Sequence, residues 1–184
     1  MELQILHWFE SLQNPITNPI MYGLTLMGEF GTVWIVLAVL MLFFLPKKYR
    51  KVGLTVAIAL LLSLIMCNGL MKNIVHRIRP FVTDPSLGNL YNVHSLISDW
   101  SFPSGHTSAS FAGALAILMW RKKEGIAAVI LASLIAFSRL YLTVHYPSDV
   151  LVSLILGSLY GVIAYSIVKG LMKKFPKMKK LFDV

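Results

Sequence analysis

Charge is scarce in this sequence. Of 184 residues only 14% are Asp, Glu, Lys or Arg, 57% are hydrophobic, and the mean hydropathy is +0.70. A soluble domain carries about 25% charged residues, so a soluble globule, a disordered chain and a coiled coil are excluded. Cysteine is limited to Cys67. That rules out an internal disulfide and a disulfide scaffold; alone in an apolar run, Cys67 reads as a small buried packing residue. No Lys or Arg precedes Lys47. The basic n-region of a cleaved signal peptide is therefore missing, and the first apolar segment is expected to insert directly.

What the chain does have is long apolar runs. Val52–Met71 is 20 residues without a charge and Val150–Val168 is 19; a span needs about 20. Shorter uncharged runs, Thr32–Leu45, His106–Trp120 and Gly125–Ser138, can each be lengthened at the outer end by weakly polar sequence. The expected fold is all-α, a polytopic transmembrane bundle of five spans. These run from about Ile20 to Leu45, Val52 to Asn73, Pro103 to Trp120, the Arg121–Gly125 turn to Val144, and Ser148 onward. Six spans is the alternative, but Ile16–Met27 is too short to cross on its own. Gly23, Gly28, Glu29 and Gly31 make the outer half of span 1 irregular. Before it, Leu3, Leu6, Trp8, Phe9 and Leu12 recur at roughly helical spacing, an interfacial helix closed by Asn14-Pro15 and Asn18-Pro19. The chain reads as a single membrane-embedded domain over 1–184, with its chemistry in 72–149 and a basic tail over 169–184.

Net charge is +9, yet its placement argues against nucleic acid as a partner. Thirteen of the 17 basic residues fall in every second connection: Lys47, Lys48, Arg50 and Lys51; Arg121, Lys122 and Lys123; and Lys169, Lys173, Lys174, Lys177, Lys179 and Lys180. The positive-inside rule puts these in the cytoplasm, and the tail suits anionic headgroups. The N-terminus is then outside and the C-terminus inside, in a plasma membrane, with membrane lipids as neighbours. Trp100 and Trp120 fall at the two interfaces, as belt residues do. The sequence sets no oligomeric state.

Four basic residues remain, Lys72, Arg77, Arg79 and Arg139, all near the outer ends of spans 2 and 4. Ionisable groups there with no topological reason are functional candidates. Lys72 and Arg79, seven apart, can share a helical face, which Pro80 ends. Pro103-Ser104-Gly105-His106 opens span 3, leaving the Ser104 and Gly105 amides at a helix N-terminus, a ready anion site. Arg139 and His145 flank the end of span 4. Asp149 falls in the first turn of span 5 if Pro147 starts it. Cations and amides suit a phosphoryl group, whose transition state spreads charge over three oxygens. His145 beside Asp149 suits a nucleophile or base with a fixed tautomer, and His106 is free to protonate a leaving oxygen. No metal is expected, because the three cations would repel one. Arg77 reads as a snorkelling anchor. His7, His76 and His94 read as satisfied polar residues, Asp84 and Asp99 as loop and turn residues, and Tyr141 as packing. Glu29 is open between a partner for an outer-loop cation and a solvated acid.

Three motifs stand in order on one membrane side. Lys72 through Arg79-Pro80 fits K-x6-R-P. Pro103-Ser104-Gly105-His106 fits P-S-G-H. Ser138-Arg139, five residues, His145, three residues, Asp149 fits S-R-x5-H-x3-D. Together they resemble the type 2 phosphatidic acid phosphatase superfamily of membrane lipid phosphatases, in its undecaprenyl-diphosphatase-like branch. The resemblance implies a mechanism without cofactor or metal. His145 is the nucleophile forming a phosphohistidine, Asp149 orients it, and His106 is the acid. Lys72, Arg79, Ser104, Gly105 and Arg139 hold the phosphate oxygens. It implies a lipid phosphate or diphosphate as substrate, undecaprenyl diphosphate foremost, with phosphatidylglycerophosphate, phosphatidate or lipid A as alternatives. Against longer members of the family, the sequence is expected to lack an extra N-terminal span. A non-catalytic lipid-phosphate binding or transport protein is the competing class; no charge crosses the midplane of a span, which argues against a permeation path.

Overall fold

The computed structural model describes residues 1–175, and among them all regular structure is helical. Lys177, Lys179 and Lys180 of the expected basic tail lie outside the described residues. Helix α1 (Glu2–Ser11) leads to α2 (Thr17–Gly28) and α3 (Thr32–Val39), which a π-helical turn extends to Phe44. Helix α4 (Arg50–Ser63) continues through a π-helical stretch, Leu64–Met71, into the single turn α5 (Lys72–Val75). A second short turn, α6 (Pro80–Thr83), starts the outer loop. Then come α7 (Gly105–Trp120), α8 (Lys122–Tyr141) and α9 (Pro147–Lys174).

Four segments are long and apolar enough to cross a bilayer: Thr17–Phe44, Lys47–Thr83, Lys122–Tyr141 and Pro147–Lys174. The fifth crossing is α7, whose 16 residues span about 24 Å at 1.5 Å per residue. It can be short because it is the hub: α4, α8 and α9 pack round it, and most of its residues from Thr107 to Ile117 are buried. The segment before α4 offers one crossing, Thr17–Phe44, and not the two that the six-span alternative needs. It is broken where the glycines predicted irregularity: Phe30 (φ 49°) and Gly31 (φ 69°) take left-handed conformations between α2 and α3.

Small residues let the hub close. Gly157 and Gly161 on α9 form a G-x3-G pair against α7; a Cβ on Gly157 would lie 2.3 Å from the Ser108 carbonyl oxygen, and one on Gly161 2.8 Å from that of Ala112. This is the close backbone approach that packs helices in lipid, where no hydrophobic force draws them together. Outward faces are apolar instead: Leu151, Ile155, Leu159 and Ile163 on α9, and Ile126, Ile130 and Leu134 on α8, recur every four residues and are exposed. An inside-out pattern of this kind marks an integral membrane protein. Helix α1 is amphipathic as expected, but its inner face is committed to protein. Leu6 is fully buried with Leu87 and Tyr146, Phe9 packs edge-on to Phe137, and the Gln13 amide donates to the Tyr141 carbonyl (2.8 Å). Met1 and Trp8 face outward.

Candidate active site

Four segments supply the expected residues at one end of the bundle, and most of them are buried although charged. Lys72, Arg79, Ser104, Arg139, His145 and Asp149 are each at most 8% exposed. His145 sits in the short connection between α8 and α9. Tyr146 is extended, Pro147 starts α9, and the Asp149 Oδ2 accepts from the Tyr146 amide (3.0 Å), so the carboxylate caps the helix as well as facing the histidine. Asp149 Oδ2 lies 3.5 Å from His145 Nδ1. Arg79 Nη1 lies 3.1 Å from His145 Nε2 and donates to the Val144 carbonyl (2.7 Å). A guanidinium can only donate. Nε2 is therefore the acceptor, and a neutral ring carries its proton on Nδ1, the atom facing Asp149. Burial, reinforced by Arg79 and Arg139, holds the His145 pKa well below 6.5, so the ring is neutral and Nε2 keeps its lone pair.

Lys72 and Arg79 do meet, but not as neighbours on one helical face. Helix α5 ends at Val75 because His76 turns left-handed (φ 49°). Arg79 lies beyond it in extended backbone, and Pro80 begins α6 rather than ending α5. What joins the two cations is Asp99. Its Oδ2 accepts from Lys72 Nζ and its Oδ1 from Arg79 Nη2 (2.5 Å). Half-burial alone would raise the Asp99 carboxyl; Lys72 and Arg79 instead hold it down at about 2. Asp99 thus lies in the loop as expected, but its carboxylate links the two candidate cations, a role that no local pattern marks.

The P-S-G-H segment opens α7 as expected, with two changes. Pro103 lies one residue before the cap, not in the first turn. Ser104 is the cap, its Oγ accepting from Thr107 Oγ1 (3.0 Å), and its amide is not open but donates to Ser153 Oγ (2.7 Å) on α9. Gly105 is pressed by Asn68, whose Oδ1 would lie 2.9 Å from an added Cβ. His106, one residue further, packs against Gly28, where a Cβ would come within 2.8 Å of its ring. Its Nε2 lies 3.4 Å from Glu29 Oε2. The break between α2 and α3 thus delivers Glu29 to the histidine rather than to an outer-loop cation, and leaves its carboxylate half-exposed. Arg139 reaches Thr25 Oγ1, and its Nε is buried without a hydrogen-bond partner among the described residues.

Arg77 is not an anchor. Its guanidinium bonds Asp149 Oδ1 (2.5 Å) and Glu2 Oε2 (2.6 Å). The signal for it was present, an outer charge with no topological reason, but the residue joined to it lies 72 positions away. Ser101, which donates to Asp149 Oδ2 (2.5 Å), carried no signal. Two of the other histidines are satisfied as expected: His7 bonds Asp84 (2.9 Å), and His94, stacked on Phe81, lies 3.1 Å from Thr143 Oγ1. His76 packs against Trp100, and Tyr141 is buried as expected with its hydroxyl bonded to Thr17 and Asn18.

The sum is three buried cations around a neutral histidine, with Asp99 and Glu29 half-exposed and Asp149 occupied elsewhere. Buried cations without full internal compensation call for an anion, and two guanidinium forks with an ammonium match the oxygens of a phosphoryl group. Comparison with known proteins agrees. The family model of the PAP2 superfamily matches residues 49–173. An undecaprenyl-diphosphatase of Sulfolobus acidocaldarius is 32% identical over 151 residues, 80% of this chain and 70% of that protein. A lipid A 4'-phosphatase of Bacteroides thetaiotaomicron is 29% identical over 176 residues, 91% of this chain and 76% of that one. The crystal structure of a transmembrane PAP2-type phosphatidylglycerolphosphate phosphatase from Bacillus subtilis superposes with a TM-score of 0.68 at 26% identity, covering 95% of this chain and 85% of that one. The chain belongs to the PAP2 superfamily and is a membrane lipid phosphatase.

Proposed function

We propose that this phosphatase removes the terminal phosphate of undecaprenyl diphosphate at the outer face of the plasma membrane, through a phosphohistidine. The observation that carries the reading is the triple of buried cations, Lys72, Arg79 and Arg139, set around His145, whose unprotonated Nε2 accepts from Arg79 Nη1. In the first half, His145 Nε2 attacks phosphorus, the bond to the leaving oxygen breaks, and His106 gives that oxygen a proton. Asp149 takes up the charge that develops on the imidazole. In the second half, water attacks the phosphohistidine, His106 accepts its proton, and inorganic phosphate leaves with His145 restored. Lys72, Arg79, Arg139, the Ser104 hydroxyl and the Gly105 amide hold the three equatorial oxygens. The lipid reading draws on a shallow apolar groove lined by Leu64, Ile65, Asn68, Gly69 and Leu70. It lies on the lipid-facing side of span 2 and reaches the site where Asn68 abuts Gly105. The choice of polyprenyl diphosphate draws on the undecaprenyl-diphosphatase relative; the lipid A and phosphatidylglycerolphosphate enzymes mark the alternatives.

The test is phosphate release by purified protein from undecaprenyl diphosphate, phosphatidylglycerophosphate and phosphatidate, with His145→Ala beside the wild type and EDTA present. Preferential, His145-dependent release from the diphosphate is expected. Preference for a glycerophospholipid would move the substrate and keep the chemistry; strict sensitivity to EDTA would contradict the metal-free mechanism.

A further inference from the structure

Arg77 is the most heavily bonded cation of the outer face that the reaction above does not use. It lies in the extended backbone between α5 and α6, and its two terminal nitrogens divide between two carboxylates. Nη1 donates to Asp149 Oδ1 (2.5 Å) and Ser148 Oγ (2.7 Å); Nη2 donates to Glu2 Oε2 (2.6 Å). The guanidinium also lies 4.0 Å over the Tyr146 ring, and its carbonyl takes the amide of Ser101, whose hydroxyl holds Asp149 Oδ2. Glu2 Oε1 accepts from the amide (3.0 Å) and hydroxyl (2.7 Å) of Ser148, beside the aspartate. Asp149 is fully buried, and its Oδ2 is the oxygen that faces His145. A planar fork is suited to fix a carboxylate in one rotation. Glu2 in turn is carried by α1, which Leu6 seats in the pocket of Leu87 and Tyr146.

We propose that Arg77 and Glu2 are positioning residues: α1 docks Glu2 on Arg77, and Arg77 fixes the rotation of Asp149 and so the aim of His145. This rests on the reading of His145 as the nucleophile. A loss of aim of about 1 Å can cost on the order of 100-fold in rate. Arg77→Ala should therefore lower kcat about 10- to 100-fold and leave KM within about threefold. Arg77→Lys should recover part of that loss, because an ammonium can reach Asp149 but cannot hold both carboxylates. Glu2→Gln keeps an acceptor for Ser148 and loses the charge on Arg77; it should lower kcat several-fold. In the Arg77→Ala background Glu2→Gln should then cost nothing further, since Glu2 acts through Arg77.

The experiment is that cycle on full-length protein in detergent, with the substrate on which the wild type turns over fastest, and with His145→Ala in the same series. A kcat within twofold of wild type in Arg77→Ala would overturn the proposal. So would an unchanged kcat with a raised KM, which would make Arg77 a substrate-binding group. An undiminished Glu2→Gln effect in the Arg77→Ala background would do the same. If Arg77→Ala does not give folded protein, the cycle is run with Arg77→Lys and read by the same criteria. Activity surviving in His145→Ala would instead contradict the phosphohistidine reading itself, whatever Arg77 does.

Discussion

His106 and the leaving group it serves can be separated by chemistry at the scale of single residues. Release of a lipid monophosphate from a diphosphate expels a phosphate whose second pKa is about 6, a good leaving group without help. Release from a phosphomonoester expels an alkoxide, which needs a proton. His106→Ala should therefore cost far less on undecaprenyl diphosphate than on phosphatidate; equal losses on both would remove His106 from the role of acid. Arg139 makes a second case. It is 3% exposed, and an ammonium cannot reproduce its fork, so Arg139→Lys should lower kcat/KM about 100-fold or more, the scale of one lost transition-state donor. Asp99 gives the pH case. Its carboxylate and a phosphate compete for Lys72 and Arg79, so Asp99→Asn should lower the KM. Because the folded-state pKa is depressed from 3.8 to about 2, the ion link is fully present above 3.8 and is lost only as pH falls through about 2. The KM advantage of Asp99→Asn should then be the same at pH 5 and pH 8. An advantage that fades by pH 5 would show that Asp99 is not held by the two cations.

At the scale of elements, the readable parts were those set by short spacing. Tyr146-Pro147 starting α9 and the four-residue step from His145 to Asp149 are local, and the structure keeps both. What failed was any statement that needed a helix to continue or a group to stay free. Lys72 and Arg79 could not share a face once His76 turned left-handed, and nothing in K-x6-R-P announces that turn. The Ser104 amide looked open because Ser153, its acceptor, is 49 positions away. The spacing of Leu3, Leu6, Phe9 and Leu12 gives an amphipathic helix but cannot say whether lipid or protein takes its apolar face; here Leu6 and Phe9 go to protein. The α7–α9 contact offers a test independent of chemistry. Gly157→Leu must displace the Ser108 carbonyl of the hub helix, and should destabilise the fold by about 3 kcal/mol, the upper part of the usual overpacking range, read as a lowered melting temperature in detergent. An unchanged melting temperature would mean that α9 does not lie so close.

The whole molecule places chemistry at one end and basic charge at the other. Lys47, Lys48, Arg50 and Lys51 before and within the first turn of α4, Arg121–Lys123 between α7 and α8, and Lys169, Lys173 and Lys174 on α9 all lie opposite the loop that carries Asp99 and Ser101. If the positive-inside rule holds for these basic segments, the site should face outward, and a cysteine placed at Ser95 in a Cys67→Ser background should label from outside intact cells while one at Lys123 should not. In the proposed reaction a site at that end of the bundle would meet a lipid headgroup without removing the lipid from the membrane, and its cations would keep the phosphate where His145 can reach it. That account turns on one bond, between phosphorus and His145 Nε2. The most direct measurement is rapid-quench trapping of protein-bound phosphate from a lipid labelled in its terminal phosphate, with wild type beside His145→Ala. The account predicts an alkali-stable, acid-labile label on the wild type, formed and lost at the rate of turnover, and none on His145→Ala. Turnover with no labelled protein, or label that persists in His145→Ala, would contradict it.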